Sequence, residues 1–342
     1  MRNFRKTACA LCGGMLLAVA AATGGAMAAA PYVTIDLPGA DHFIVNLVGI
    51  SGHETIVGNY SAGGTMPGFV RTPDGTVTTF SLGRSIAPMA INLDGDVVGS
   101  YFDGSLTHGF LRTADGTLTT LDVPGAYTTY PFAINDSGDI GGGYNVPGTF
   151  VEYGFLRRAD GTIKTFGVPG QTVTWPVAMN KHGAIAGYYG QNAHGFIRGC
   201  GGKITSFDLP GGQRALDVGG LTDAGDVVGT YTDFSRLTHG YVRHADGSFD
   251  TFDVPNADPA RAIVVTGVNA VGDVVGYYSG SGGIHGFARA PDGTIAALDM
   301  PIAHTLETHP QAVGPNGKVV GYYKDISSHY YGFRLNAAGA GF

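Results

Sequence analysis

Cysteine is nearly missing from this chain: Cys9, Cys12 and Cys200 are the three it has. If the N-terminal residues leave as argued below, Cys200 stays alone and an internal disulfide is excluded. Stability must then come from buried area, for which a chain of just over 300 residues is long enough. Charge is sparse as well, at 14% of residues, with 20 Lys+Arg against 27 Asp+Glu. Losing Arg2, Arg5 and Lys6 would move the net charge from −7 to −10. That balance argues against nucleic acid or an anionic membrane as the main partner. Beyond the N-terminus no apolar run is long enough to span a bilayer, so no membrane insertion is expected. No HExxH, no GxSxG and no phosphate loop is present.

The first 28 residues read as a secretory signal peptide. Arg2, Arg5 and Lys6 make a basic start, Ala8 to Ala22 is apolar or small, and Ala26-Met27-Ala28 is a small-x-small cleavage site. A membrane anchor fits less well, because the apolar run is short and broken by Gly13 and Gly14. The expected product is secreted, extracellular or periplasmic, with residues 29–342 as a single domain.

What the chain has in abundance is glycine, 57 residues, at regular spacing. Gly followed by an aromatic falls at Gly68, Gly109, Gly154, Gly195, Gly240, Gly286 and Gly332, with intervals of 41, 45, 41, 45, 46 and 46. Gly-x-Tyr begins at Gly58, Gly99, Gly142, Gly187, Gly229, Gly276 and Gly321. Each unit reads as four strands, shown by Pro88–Asn92, Asp96–Tyr101, His108–Arg112 and Thr117–Val123. Glycines such as Gly95 close the first corner and Asp-Gly pairs such as Asp115-Gly116 the third, supplying the φ > 0 residue a hairpin needs. Four-strand repeats of 40 to 50 residues are the mark of a β-propeller. The expected fold is all-β: a seven-bladed β-propeller of four-stranded antiparallel blades. The last unit stops before its fourth strand, while Tyr32 to Gly39 matches that strand at the other end. The N-terminal strand is therefore expected to complete the last blade and close the ring, removing two exposed edges. A long solenoid is the alternative, and the split unit speaks against it.

The AIN…G-x-VVG…HGF…DG pattern, from Tyr32 to Gly339, resembles the repeats of extracellular HAF-family proteins. The strand layout is similar to that of virginiamycin-lyase-like seven-bladed propellers. The resemblance implies export and a propeller, and no particular activity. No local motif in this chain carries over a lyase active site.

A residue recurring in most units is read as scaffold. His108, His194, His239 and His285 share one repeat position and are expected to bond a neighbouring strand. Asn92–Asp96 and Asn135–Asp139 look like fragments of a Ca²⁺ loop but lack its Glu and recur as corners. Cys200 replaces part of an Asp-Gly corner and has no His in its own turn.

The connections from each fourth strand to the next first strand vary from unit to unit and should gather at one axial face. They hold Asp41, His42, Arg84, Tyr127, Tyr130, Trp175, Arg214, Asp217, Arg261, His304, Glu307 and His309. Ring closure would bring His42, His304 and His309 together with Asp41 and Glu307. His42, His304, Glu307 and His309 are the catalytic candidates, and a divalent metal is the cofactor such a cluster could take. Asp41, Arg84, Tyr127, Tyr130, Trp175, Arg214, Asp217 and Arg261 are the ligand-binding candidates. Aromatic rings flanked by Arg, Gln and Asp suit a sugar, whose apolar face stacks while its hydroxyls hydrogen-bond. The plain alternative is that all of these are ordinary solvated loop residues.

Three functions fit. The first is a secreted, monomeric propeller that binds an extracellular glycan or cell-surface component without catalysis. The second is a polysaccharide lyase or glycosidase working on the same face. The third is a structural or protein-interaction module of the envelope.

Overall fold

The computed structural model describes residues 32–190, 194–258, 261, 263–302 and 305–336. The signal-peptide reading and His304 therefore lie outside the described residues. Within them the chain is all-β, with 28 strands and no helix. The second repeat shows the unit: Ser85–Ile91, Val97–Phe102, Thr107–Arg112 and Leu118–Leu121, antiparallel in that order. Four further sheets repeat it, opening with Val45–Ile50, Thr128–Ile134, Thr174–Met179 and Ala215–Leu221. The sixth group opens with Ile263–Val268 and the seventh with Thr305–Val313. One parallel bridge, Ile284 to Glu307, joins these two groups into an eight-stranded sheet. Tyr32–Ile35 pairs antiparallel with Tyr330–Asn336, as the fourth strand of the seventh group.

The Gly-x-Tyr marker has a steric cause. Each first strand carries a β-bulge after the residue that faces this glycine, as between Pro88 and Ala90 or Pro310 and Ala312. The bulge drops the preceding carbonyl onto the second strand. A Cβ at Gly58, Gly99, Gly142, Gly187, Gly229, Gly276 or Gly321 would overlap that oxygen. Pro is tolerated beside the bulge because the first strand is a sheet edge, where one face of its backbone has no ladder partner.

The Gly-aromatic marker supplies the packing. Phe69, Phe110, Phe155, Phe196, Tyr241, Phe287 and Phe333 are fully buried. Each core cluster joins one sheet to the next: Val57 and Phe80 of the first meet Ile86 and Phe110 of the second. In four places an Arg on the third strand lies over a Phe on the previous sheet's fourth strand, as Arg198 does over Phe166 at 5.0 Å. Such a contact adds dispersion and charge–quadrupole attraction in one place.

The corner asparagines tie the sheets together near the axis. Asn180 Nδ2 donates to the Thr222 carbonyl at 3.1 Å, and Asn92, Asn135 and Asn269 do the same to the next sheet's corner. Corners of four consecutive sheets line one cavity of about 180 Å³, among them Asn135, Asn180, Thr222 and Asn269.

The first and seventh groups also meet. Ile35, Leu37, Leu47, Phe69 and Val320 share one core cluster. At the first sheet's corner, where the other units have glycine, Glu54 sits at φ 63°. Its carboxylate takes hydrogen bonds from Lys318 and, at 3.3 Å each, from Arg334 and Asn316 of the seventh group. A left-handed glutamate costs about 1 kcal/mol or more in backbone strain, which this ion-paired contact offsets.

Candidate site at the inner strands

The inner strands begin about three residues earlier than the sequence suggests, at Ser85 where Pro88 was expected. The reason is pairing: in the third sheet Thr128 already faces Asn145 across the ladder. Tyr130, Trp175, Asp217, Glu307 and His309, expected in loops, are thus strand residues near the axis. Tyr130, Trp175, Asp217 and His309 hold one register, each one residue before the one that faces the Gly-x-Tyr glycine and precedes the bulge.

Each of these residues faces the middle residue of Gly-x-Tyr on its own second strand: Trp175 faces Tyr188, Asp217 faces Thr230, and His309 faces Tyr322. His309 and Trp175 also pack on the same position of the sheet before, His309 on Tyr277 and Trp175 on Gly143. That middle position reads Asn59, Ser100, Gly143, Tyr188, Thr230, Tyr277 and Tyr322. Its variability inside a recurring strand is the sequence signal that marks these residues.

The densest chemistry surrounds His309. The residue is buried, its Nε2 donating to Glu307 at 3.0 Å, and its Nδ1 has no hydrogen-bond partner among the described residues. The ring stacks on Tyr322 at 4.6 Å and meets Tyr277 edge-on at the same distance. Lys324 Nζ donates to the other oxygen of Glu307 at 3.2 Å and lies over the Tyr330 ring. Burial holds His309 below the usual histidine range, outweighing Glu307. For Glu307 burial acts upward, but the bonds from His309 and Lys324 win and its pKa is lowered. Burial pushes the Tyr322 phenol up to about 12, helped by Tyr277, Tyr330 and Glu307. At neutral pH the arrangement is a neutral imidazole oriented by a carboxylate between two protonated tyrosines. A carboxylate-oriented neutral imidazole is the pairing that proton transfer uses, and here its second nitrogen, Nδ1, is itself buried.

The five-residue convergence is realised for Glu307 and His309. His42 Nδ1 lies 3.2 Å from the Tyr330 carbonyl and its ring 4.7 Å from Tyr331, so it is linked to His309 only through Tyr330 and Tyr322. Asp41 accepts from Ser61 and from the Phe43 amide. Among the described residues no group of three His, Cys, Asp or Glu could hold a metal.

A second centre lies on the third and fourth sheets. Trp175 stands 5.6 Å from Tyr130 and 5.1 Å from Phe132, ring to ring, and Tyr130 and Phe132 are near-parallel. These three form an apolar shelf of aromatic faces. Asp217, on the fifth sheet, is open to solvent by area, yet the protein mass around it raises its pKa by desolvation. Burial also pushes Tyr188 up to about 12, with Asp217 and Glu152 adding to it. Arg84 and Arg214 are exposed, their backbones bonded to Met66 and Thr232. Arg261 pairs with Asp258 at 3.3 Å and lines a groove that Glu307 also reaches.

The recurring histidines behave as scaffold. His108, His194, His239 and His285 each bond, through Nδ1, the Asp at the end of the neighbouring fourth strand at 2.6–2.8 Å. Each also lies against a tyrosine ring of the second strand. Cys200 is free and exposed.

No protein-family model matches the sequence, and the search of curated proteins returns no match. Solved structures do match. A catalytically inactive virginiamycin B lyase from Staphylococcus aureus, bound to quinupristin, has a TM-score of 0.60 at 14% identity, covering 89% of this chain and 99% of its own. A streptogramin B lyase matches equally, at 0.60 and 14%, over 90% and 98%. A puromycin hydrolase gives 0.61 at 12%, over 90% of this chain and 55% of that one. At such identities the likeness is one of fold: the chain is a β-propeller of the layout seen in virginiamycin B lyase-like proteins.

Proposed function

We propose that this is a secreted, HAF-type propeller of seven blades, closed by its N-terminal strand, that binds a carbohydrate on the axial face. Closure is supported by the pairing of Tyr32–Ile35 with the last strand and by the Glu54 contacts. The observation that carries the ligand reading is the shelf of Tyr130, Phe132 and Trp175 at the inner strands. The ring faces, Trp175 tilted by 52° and 58° to the other two, suit the C–H face of a sugar, and the polar register positions beside them suit the hydroxyls. An extracellular glycan or cell-surface component would be the partner, bound by a monomer.

A second reading has its own observation. Glu307 and His309, set between Tyr277 and Tyr322, make a proton-transfer group of the kind an elimination on a polysaccharide needs. The fold neighbours include lyases and a hydrolase, which supports an enzymatic module without naming its substrate.

A glycan array run together with a product assay separates the readings. Binding that falls at least tenfold in Trp175→Ala, with no product formed, supports the binding protein. Unsaturated or shortened products that vanish in His309→Gln replace it with the enzyme. Neither binding nor turnover on any glycan sinks both and leaves an interaction module of the envelope.

A further inference from the structure

The third repeat differs from its neighbours on the side of the shelf. Its second and third strands, Ile140–Asn145 and Glu152–Arg157, are joined by residues 146–151, a longer connection than 103–106 in the second repeat. At its tip Phe150 is 98% exposed, and Tyr127 opposite is 53% exposed. Between them lies a groove of about 350 Å³ whose lining also includes Thr128, Tyr130, Asn145 and Thr149. Small-molecule sites begin at about 300 Å³, so the groove has room for one small ring system. Folding gives no reason to hold two large aromatic side chains in water on either side of a groove.

Three features define what would fit. No charged side chain lines the groove, so a carboxylate or ammonium group entering it would find no counter-charge. Its polar atoms are held in place: Thr128 Oγ1 donates to Asn145 Oδ1 at 2.7 Å, and Asn145 Nδ2 to Glu152 at 3.0 Å. The Thr128 and Thr149 hydroxyl oxygens keep acceptor capacity for a ligand's O–H groups. Tyr130 belongs to both places, lining the groove and standing 5.6 Å from Trp175 on the shelf.

We infer that the groove between Tyr127 and Phe150 is a subsite for one uncharged sugar residue, continuing outward a glycan chain laid on the Tyr130–Trp175 shelf. This rests on the carbohydrate reading above and adds to it a direction, a length dependence and a preference for neutral sugars. The groove contrasts with the one near the sixth and seventh groups, whose lining includes Asp258, Arg261 and Glu307.

Trp175 is the single tryptophan, so its fluorescence reports on the shelf directly. Neutral gluco- and manno-oligosaccharides of two to six residues, and a matching ladder of oligogalacturonates, are titrated into the full mature protein and into Phe150→Ala and Tyr127→Ala. Both substitutions fall on exposed side chains, and circular dichroism checks the fold. The expected result is an affinity that rises about tenfold along a neutral ladder in the parent protein. That rise should be lost in both variants, while in Phe150→Ala the shortest binder is held as before. Variants that keep the full rise, or a rise confined to the galacturonates, would overturn the subsite while leaving the shelf intact. A parent protein that binds neither ladder but binds another glycan on the array overturns the subsite alone, and one that binds no glycan at all brings both readings down.

Discussion

Glu307 and His309 lie two apart on one strand, so their side chains leave the same face and can meet. Read as loop residues they carry no such alternation, so only their nearness in the chain was legible in the sequence. Tyr277 and Tyr322 were not, since each stands next to His309 only through ladder register or the packing of one sheet on another. His42 shows a related limit: its loop reaches the seventh group, where its contacts are the Tyr330 carbonyl and the Tyr331 ring. The histidines also divide by environment. His108 is raised above the ordinary 6.5 chiefly by its bond to Asp122, and His285 is raised because Asp299 outweighs the burial that opposes it. His309 is lowered by burial. A raised histidine binds its proton more tightly folded than unfolded, so its stabilisation is present below about 6.5 and fades as pH rises through its folded pKa. A lowered one works the other way, and its share is lost as pH falls from about 6.5 towards its folded pKa. NMR titration of the imidazole Cε1–H resonances should therefore put His108 and His285 above the reference and His309 below it. Should His309 titrate with the other two, the picture of a neutral, oriented imidazole is wrong.

At the level of the strand, the repeated glycine is a record of the bulge beside it. The four-strand unit and its corners could be read from spacing because turn chemistry and burial repeat with it. The inner strand's early start could not, since Thr128 or Ser85 joins the ladder without any apolar alternation to announce it. The steric account makes a sharp comparison possible. Gly187→Ala places a methyl against the Trp175 carbonyl and should cost about 2 kcal/mol, in the range for forced overpacking. Gly201→Ala, at a corner with open space around it, should stay within about 0.5 kcal/mol of the parent. Denaturant midpoints measure both. Equal effects at the two positions would mean that the glycines mark something other than the bulged carbonyl.

For the molecule as a whole, the prediction concerns the joint. Removing residues 32–38 takes Ile35 and Leu37 out of the cluster they share with Leu47, Phe69 and Val320, and leaves Tyr330–Asn336 as a bare edge. Two buried aliphatic side chains are worth on the order of 4 kcal/mol together. The shortened protein should melt lower and associate with increasing concentration, seen by calorimetry and size-exclusion chromatography. A shortened protein as stable and monomeric as the parent would show that the N-terminal strand is an ornament of the seventh group.

The same joint has a consequence in time. Tyr32 faces Leu335, so the strands that meet there are separated by roughly 300 residues of chain, whereas every other hydrogen-bonded pair of strands among the described residues is a local hairpin or an adjacent unit. Loop closure makes such a contact the slowest to form, and folding rates fall as contacts become less local. The earlier sheets can assemble as the chain emerges, each on the one before. The seventh group must wait for the last residue to arrive and for the first strand to be found. If export delivers the N-terminus first, that strand spends the longest time unpaired of any in the protein. Its length of four residues keeps the edge it offers to a wrong partner small in the meantime.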